Sequence, residues 1–214
     1  LGSGDLVVDV GCNDGTLLQG FRRHGARTLG VDPAINLAER AASSGIERFV
    51  GFFGAQTAGQ IAARWGQASV ITATNTFPHI PDLGDFLEGV KTALAPGGAL
   101  VIEAHYLGDL LAQGAFDTIY HEHVSYWALG PMVTLFRRAG LEVVSAERLP
   151  LHHGQLRVFV QRSGERTPDP SVGAVLAQEA AAGIGRFDTY ERFARSIGTM
   201  KQQLRVMDSS RRPW

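Results

Sequence analysis

Val7-Val8-Asp9-Val10 runs without a spacer into Gly11-Cys12-Asn13-Asp14-Gly15, and Leu17 and Leu18 then open a new apolar pattern. β-Branched valine favours a pleated, buried strand, the glycines mark a tight turn, and apolar residues resuming at helical spacing mark a helix. A strand-turn-helix unit of this kind brings backbone close to a ligand and leaves unpaired N–H groups and a positive dipole end there. About 20 residues past the glycines, Leu29-Gly30-Val31-Asp32 reads as a second strand ending in a carboxylate, where a ribose diol is held.

The chain then alternates. Helical patterns cover 17–24, 34–44 and 55–65, and short strands cover 49–53 and 70–74. Leu83, Phe86, Leu87, Val90 and Leu94 recur at helical spacing behind a capping Asp82, and Pro96-Gly97-Gly98 closes that helix before a strand at 99–103. Repeated strand-helix units imply a parallel sheet with right-handed crossovers and helices on both faces. Asp9, Asp32, Asn75 and Glu103 each fall at a carboxyl end of a strand, where such sheets bind ligands. Residues 105–130 break the alternation with a dense group that includes Tyr106, Tyr120, His121, Glu122, His123, Tyr126 and Trp127, which reads as a functional insertion. A helix at 131–139 and strands at 141–148 and 156–161 follow. The few residues around His152, His153 and Gly154 make the last two strands an antiparallel hairpin.

Ser, Gly, Thr and Pro dominate 163–171, which reads as a linker between a domain at 1–162 and a helical tail at 172–214. In that tail Ile184, Phe187, Tyr190, Phe193, Ile197, Met200, Leu204 and Met207 make one amphipathic stripe. The stripe is expected to dock on a further domain or on a second copy as a homodimer. Net charge is −1 with both signs interleaved, which gives no footprint for nucleic acid or an anionic membrane. No apolar run approaches a membrane span and no leader pattern opens the chain, so a cytoplasmic protein is expected. Cys12 is the single cysteine, which excludes an internal disulfide and a Cys-based zinc module; no metal is expected.

A dinucleotide loop carries glycine at its first, third and sixth positions, but here the third is Asn13 and the sixth is Thr16. Asp9 and Asp14 also sit badly beside a pyrophosphate and suit a cofactor with a positive centre and an ammonium group. The loop resembles motif I of the class I S-adenosylmethionine-dependent methyltransferases, with Asp32 as the ribose-binding acid. That resemblance implies a Rossmann-like doubly wound sheet, mostly parallel with one antiparallel strand near the C-terminal edge. Asp9, Gly11, Cys12 through its backbone, Asn13, Gly15, Asp32 and Asn75 are then the cofactor residues, and Phe53, beside Phe52, is placed to flank the adenine.

Three blocks carry a narrower resemblance. Asn75-Thr76-Phe77-Pro78-His79-Ile80-Pro81-Asp82-Leu83, Phe116-Asp117-Thr118-Ile119-Tyr120-His121-Glu122-His123 and Pro150-Leu151-His152-His153-Gly154-Gln155-Leu156-Arg157 look like signature blocks of the sugar C-methyltransferase family. Its members methylate a carbon next to the keto group of nucleotide-activated (dTDP-type) 4-keto deoxysugars. The resemblance assigns Tyr120, Glu122, His123 and His79 to catalysis. A base must remove the proton α to the ketone while donors hold the enolate oxygen. His123 is expected as base, Glu122 as its orienting carboxylate, and Tyr120 and His79 as donors. A helical turn would put Tyr120 beside His123, whereas an extended segment would pair Tyr120 with Glu122. Tyr106, Tyr126, His152 and Arg157 are the expected substrate contacts, Arg157 near the hairpin where a phosphate is met. The third block departs from the family, which usually has Gly-Gly-Ser where this chain has His153, Gly154 and Gln155. Typical members also carry an N-terminal Cys-rich zinc module and a C-terminal α/β domain; neither is recognisable, and the chain reads as the central catalytic portion. The competing expectations are an O- or N-methyltransferase of a small molecule, or a cofactor-binding fragment inactive without flanking domains.

Overall fold

The computed structural model describes residues 1–35, 45–151 and 154–209; the expected helix at 34–44 and the expected contact at His152 lie outside the described residues in whole or in large part. β1 (Leu6–Val10) is buried along its whole length. It lies in a seven-stranded sheet with β2 (Arg27–Asp32), β3 (Glu47–Val50), β4 (Ala68–Thr74), β5 (Leu94–His105), β6 (Leu141–Leu149) and β7 (Gln155–Arg162), in the order β3-β2-β1-β4-β5-β7-β6. All neighbours are parallel except β7, which runs antiparallel to both β5 and β6, as the short hairpin connection requires.

The helices are α1 (Thr16–Arg23), α2 (Ala55–Trp65), α3 (Leu83–Ala93), α4 (Leu107–Gln113), α5 (Leu129–Arg138), α6 (Pro170–Ala182) and α7 (Phe187–Ser209). The strand period of two divides the core: Leu6, Val8 and Val10 enter a large cluster with Ile61, Phe86 and Phe136, while Val7 enters a smaller one under Leu18 of α1. Asp82 caps α3 as its position suggests, its carboxylate accepting from the Asp85 N–H at 2.9 Å.

Three boundaries differ from the sequence expectation, each for a tertiary reason. β3 stops at Val50, because its partner β2 ends at Asp32, directly opposite; Phe52 and Phe53 therefore leave the sheet and enter the loop at its carboxyl edge. Pro96-Gly97-Gly98 belongs to β5, where the pairing with β4 shifts register, rather than closing the preceding helix. The linker is shorter than 163–171: Asp169 caps α6, accepting from the Ser171 N–H at 2.8 Å.

α6 is packed on the sheet domain. Val172 and Val175 join the main core, and the Glu179 carboxylate is buried, accepting from the Leu129 N–H at 2.5 Å and the Gly130 N–H at 2.9 Å. α5 has no side-chain cap of its own, so Glu179 satisfies its first N–H groups from another helix. On α7, Phe187, Leu204 and Val206 are exposed. Among the described residues, no helix is long and apolar enough to cross a membrane.

Candidate active site

The strand ends converge on a cavity of about 400 Å³ lined by Gly11, Val31, Phe52, Phe53, Thr76 and His79 among others. Gly11 and Gly15 both have positive φ, 73° and 81°, and a Cβ at Gly11 would collide with Thr76 Oγ1. The loop thus passes against the β4 end at a distance only glycine permits. The capping position Gly15 has no side chain, and the Asp14 carboxylate beside it accepts from the Thr16 N–H at 3.0 Å, which holds the start of α1 against the loop. Asn13 follows the turn in the left-handed region at φ 50°, which asparagine tolerates better than other side chains.

Asp32 holds this loop. Its Oδ2 accepts from the Asn13 N–H at 3.0 Å, its Oδ1 from the Ala34 N–H at 2.8 Å, and Arg48 Nη2 lies 3.5 Å from Oδ1. Phe53 stacks edge-on against Phe86 at 5.6 Å, whereas Phe52 is 81% exposed at the cavity rim. Asp82 and Asp85 also line the cavity, so its acidic character suits a cationic cofactor. Cys12 turns the other way: its sulfur packs against Gly30 and burial pushes the thiol up to about 11, which leaves only its backbone for the cofactor.

Asp9 does not face the cavity openly. It is 3% exposed and its Oδ1 accepts from Thr72 Oγ1 at 2.6 Å. Burial pushes its carboxyl up to about 6, against the smaller opposing pull of the Thr72 hydrogen bond. An acid whose pKa is raised on folding stabilises the fold fully below about pH 4, and that contribution disappears as pH rises through about 6. The displacement corresponds to about 3 kcal/mol. Unfolding titrations of wild type and Asp9→Asn are expected to diverge by that order between about pH 4 and pH 7.5, the wild type losing ground. Parallel curves would mean that Asp9 ionises freely in the fold.

The Tyr120–His123 block sits beside His79. Between the 3₁₀ turn Phe116–Thr118 and α5, the chain crosses the loop after β4, and the Pro78 carbonyl accepts from the Val124 N–H at 3.0 Å and the Ser125 N–H at 3.3 Å. Pro78 itself follows Phe77, which is fully buried against Phe86, Trp127 and Phe136, so the platform is anchored in the core. Of the two conformations open to the block, the chain adopts the turn: the His123 N–H donates to the Tyr120 carbonyl at 3.1 Å, and the Tyr120 hydroxyl lies 3.2 Å from His123 Nε2. His123 Nδ1 is 2.9 Å from the Thr118 carbonyl oxygen. A carbonyl only accepts, so Nδ1 carries the proton and Nε2 presents its lone pair. His79 is fixed in the same way, its Nδ1 donating to the Glu122 carbonyl at 2.8 Å, with its ring 4.9 Å from that of His123.

Several assigned roles change on this geometry. The group that orients His123 is the Thr118 carbonyl and not the Glu122 carboxylate; Glu122 contributes its main-chain oxygen, to His79. His79 in that tautomer presents an acceptor at Nε2 and donates there only as imidazolium. Tyr126 remains at the site, its ring 5.9 Å from that of His123. Tyr106 is not a surface contact: it is 3% exposed, and its ring lies under the Arg148 guanidinium at 5.1 Å. Burial, with Glu179 nearby, pushes its hydroxyl far up. Arg157 is not held ready for a phosphate, since Nη2 and Nε bond Glu103 at 2.7 and 3.0 Å and Nη1 lies 3.5 Å from Glu147. Two carboxylates already answer its charge. Asn75 meets Gln155 across the sheet rather than lining the cavity, its Oδ1 accepting from Gln155 Nε2 at 2.7 Å.

His105 joins this cluster without having been singled out in the sequence, because β5 runs two residues past its expected end at Glu103. It ends β5, and its ring lies 5.4 Å from that of His123. Thr118 acts through its main chain and carries no sequence signal.

A glycine loop at the end of β1, an acid ending β2 and a sheet with one antiparallel strand define a class I methyltransferase, whose cofactor is S-adenosylmethionine. The cavity fits that cofactor on its acidic rim, its flanking phenylalanines and the close approach at Gly11. Residues 1–146 match the family model of the methyltransferase domain, and the chain belongs to that family. Residues 150–212 match the C-methyltransferase C-terminal domain, so the stretch expected as linker and tail falls within a recognised domain family. The chain is 41% identical over 208 residues to the C-methyltransferase NovU of Streptomyces niveus, covering 97% of this chain and 50% of that protein. It therefore spans half the length of that relative. It is also 26% identical over 159 residues to a ubiquinone biosynthesis O-methyltransferase of Cupriavidus pinatubonensis, covering 66% of this chain and 62% of that one. Among solved structures, an S-adenosylmethionine-dependent methyltransferase from Anabaena variabilis aligns with a TM-score of 0.60 at 16% identity, over 76% of this chain and 79% of that chain. That likeness concerns the fold.

Proposed function

We propose that this protein transfers a methyl group to carbon, at the position next to the keto group of a nucleotide-linked 4-keto deoxysugar. The observation that carries the reading is the His123 imidazole, locked with Nε2 as its basic atom and adjoining His79 on the wall of the cofactor cavity. S-Adenosylmethionine, when bound, supplies an electrophilic methyl group. Carbon becomes a nucleophile only after loss of an α-proton, and His123 Nε2 is the atom that takes it. As Nε2 becomes protonated it no longer accepts from Tyr120, which frees that hydroxyl to donate to the enolate oxygen. The strap from Ile119 to Trp127, pinned on Pro78, keeps base and cofactor cavity in register. The likeness to NovU and the C-methyltransferase C-terminal match support carbon as acceptor.

A second reading is O-methylation, because a neutral imidazole also deprotonates a hydroxyl and O-methyltransferases are among the relatives. Incubation with ¹³C-methyl-labelled cofactor and a nucleotide-linked 4-keto-6-deoxysugar, followed by NMR of the product, decides between them. A new carbon–carbon-linked methyl at the α-carbon is expected. A methyl ether in its place would overturn the reading.

A further inference from the structure

We propose that Gln155 is a positioning residue for this reaction: it fixes the side-chain amide of Asn75 so that its NH₂, and not its oxygen, faces the reaction centre. The inference rests on the C-methylation reading above and deepens it.

Gln155 opens β7 and pairs with His105, the last residue of β5, so it lies in the same layer of strand ends as the catalytic imidazoles. It is fully buried. Asn75 follows the last residue of β4, is exposed, and stands in the left-handed region at φ 55°, its N–H donating to the Glu103 carbonyl at 2.8 Å. Its neighbour Thr76 lines the cofactor cavity. The one polar contact that joins the two side chains is Gln155 Nε2 donating to Asn75 Oδ1 at 2.7 Å.

A side-chain amide is planar, so turning Oδ1 toward Gln155 directs the NH₂ away from it. Gln155 Oε1 has no hydrogen-bond partner among the described residues. Reversing both amides would exchange that buried carbonyl for a buried amino group lacking a partner, and an under-satisfied carbonyl is the more tolerable of the two. The network therefore selects one orientation of Asn75.

That orientation answers a need of the site. Enolate formation places negative charge on the keto oxygen and requires donors aimed at it. His79, with Nδ1–H spent on Glu122, presents a lone pair, and the Tyr120 hydroxyl is engaged by His123 until the proton moves. The Asn75 NH₂ is a neutral donor available from the outset. In the step itself the α C–H bond breaks, the proton goes to His123 Nε2, and the electron pair passes to the keto oxygen. When the pair returns, the carbon–methyl bond forms as the sulfur–methyl bond breaks and the thioether leaves.

The test compares Gln155→Met, Gln155→Glu, Asn75→Ala and the double variant Gln155→Glu/Asn75→Ala in the full chain. Each is assayed for α-proton exchange in deuterated solvent, for kcat and KM of methyl transfer, and for cofactor affinity. Gln155→Met, nearly the same size without a donor, is expected to lower kcat and exchange about 10- to 100-fold. KM for either substrate and cofactor affinity should stay within about two-fold, a split that loss of packing would not produce. Gln155→Glu presents an acceptor that draws the Asn75 NH₂ inward, and is expected to lose at least as much. The double variant should be no slower than Asn75→Ala alone, because Gln155 acts through Asn75. If Gln155→Met fails to fold, Gln155→Glu decides. Wild-type kcat in a folded Gln155→Glu, or a double variant clearly slower than Asn75→Ala, overturns the inference. A wild-type protein that neither exchanges nor methylates the keto sugar overturns the C-methylation reading and the inference with it, a result distinct from the other two.

Discussion

His123→Asn is expected to abolish both methyl transfer and exchange of the substrate's α-proton, with cofactor affinity unchanged within about two-fold. The imidazole is held by its Nδ1–H to the Thr118 carbonyl, so its only basic atom is Nε2. Asparagine can keep the hydrogen bond to Thr118 but supplies no base at the far side. A positioned general base contributes about 10²- to 10⁴-fold, or about 3–5 kcal/mol of barrier. The cofactor cavity is lined by His79 and not by His123, which is why affinity should survive. Single-turnover methyl transfer, proton exchange followed by NMR, and calorimetry of cofactor binding check this together. Exchange at the wild-type rate would move the base elsewhere, and His79 and His105, the neighbouring imidazoles, become the candidates.

Asp32→Ala carries the second large effect, and it has two parts. The carboxylate accepts two backbone N–H groups that shape the loops on either side of the cofactor cavity, from Asn13 and Ala34. Charge-assisted bonds of this kind contribute about 1.5–3 kcal/mol each when removed, so cofactor affinity should fall at least about 10- to 100-fold. The substitution also strands Arg48, whose side chain is 5% exposed and whose Nε and Nη1 make no hydrogen bond among the described residues. A buried cation deprived of its counter-charge costs about 3 kcal/mol or more, so the unliganded protein should melt at lower temperature as well. Calorimetry and thermal unfolding separate the two parts. Normal affinity in a less stable protein would leave Asp32 a purely structural role at the ribose end.

Local pattern was enough for much of this molecule. The valine run of β1, the glycine loop and the carboxylate at Asp32 are short-range signals: a strand period, a turn and a spacing. The antiparallel pairing of β7 with β6 followed because a connection of a few residues cannot cross over a sheet, whereas the order of the seven strands was settled only by the fold. The Tyr120–His123 block was visible as a cluster of titratable groups, and its turn was one of two readings that periodicity allowed. Periodicity also placed Phe52 and Phe53 in a strand, which failed because β3 ends where its partner ends, a fact held in another segment.

What only the tertiary structure decided are the partnerships between distant groups and those made by the main chain. A carbonyl has no letter, so the acceptors that set the tautomers of His123 and His79, at Thr118 and Glu122, leave no trace in the sequence. Glu179 caps α5 from 50 residues away, and Gln155 reaches Asn75 across 80. Arg157 looked like an anion ligand on its own strand until the pairing of β7 with β5 and β6 put Glu103 and Glu147 directly opposite it. Charge and hydrogen bonding act through space over a few ångströms. The sequence by itself determined which chemistry the strand ends carry; the packing of the sheet determined which of those groups meet.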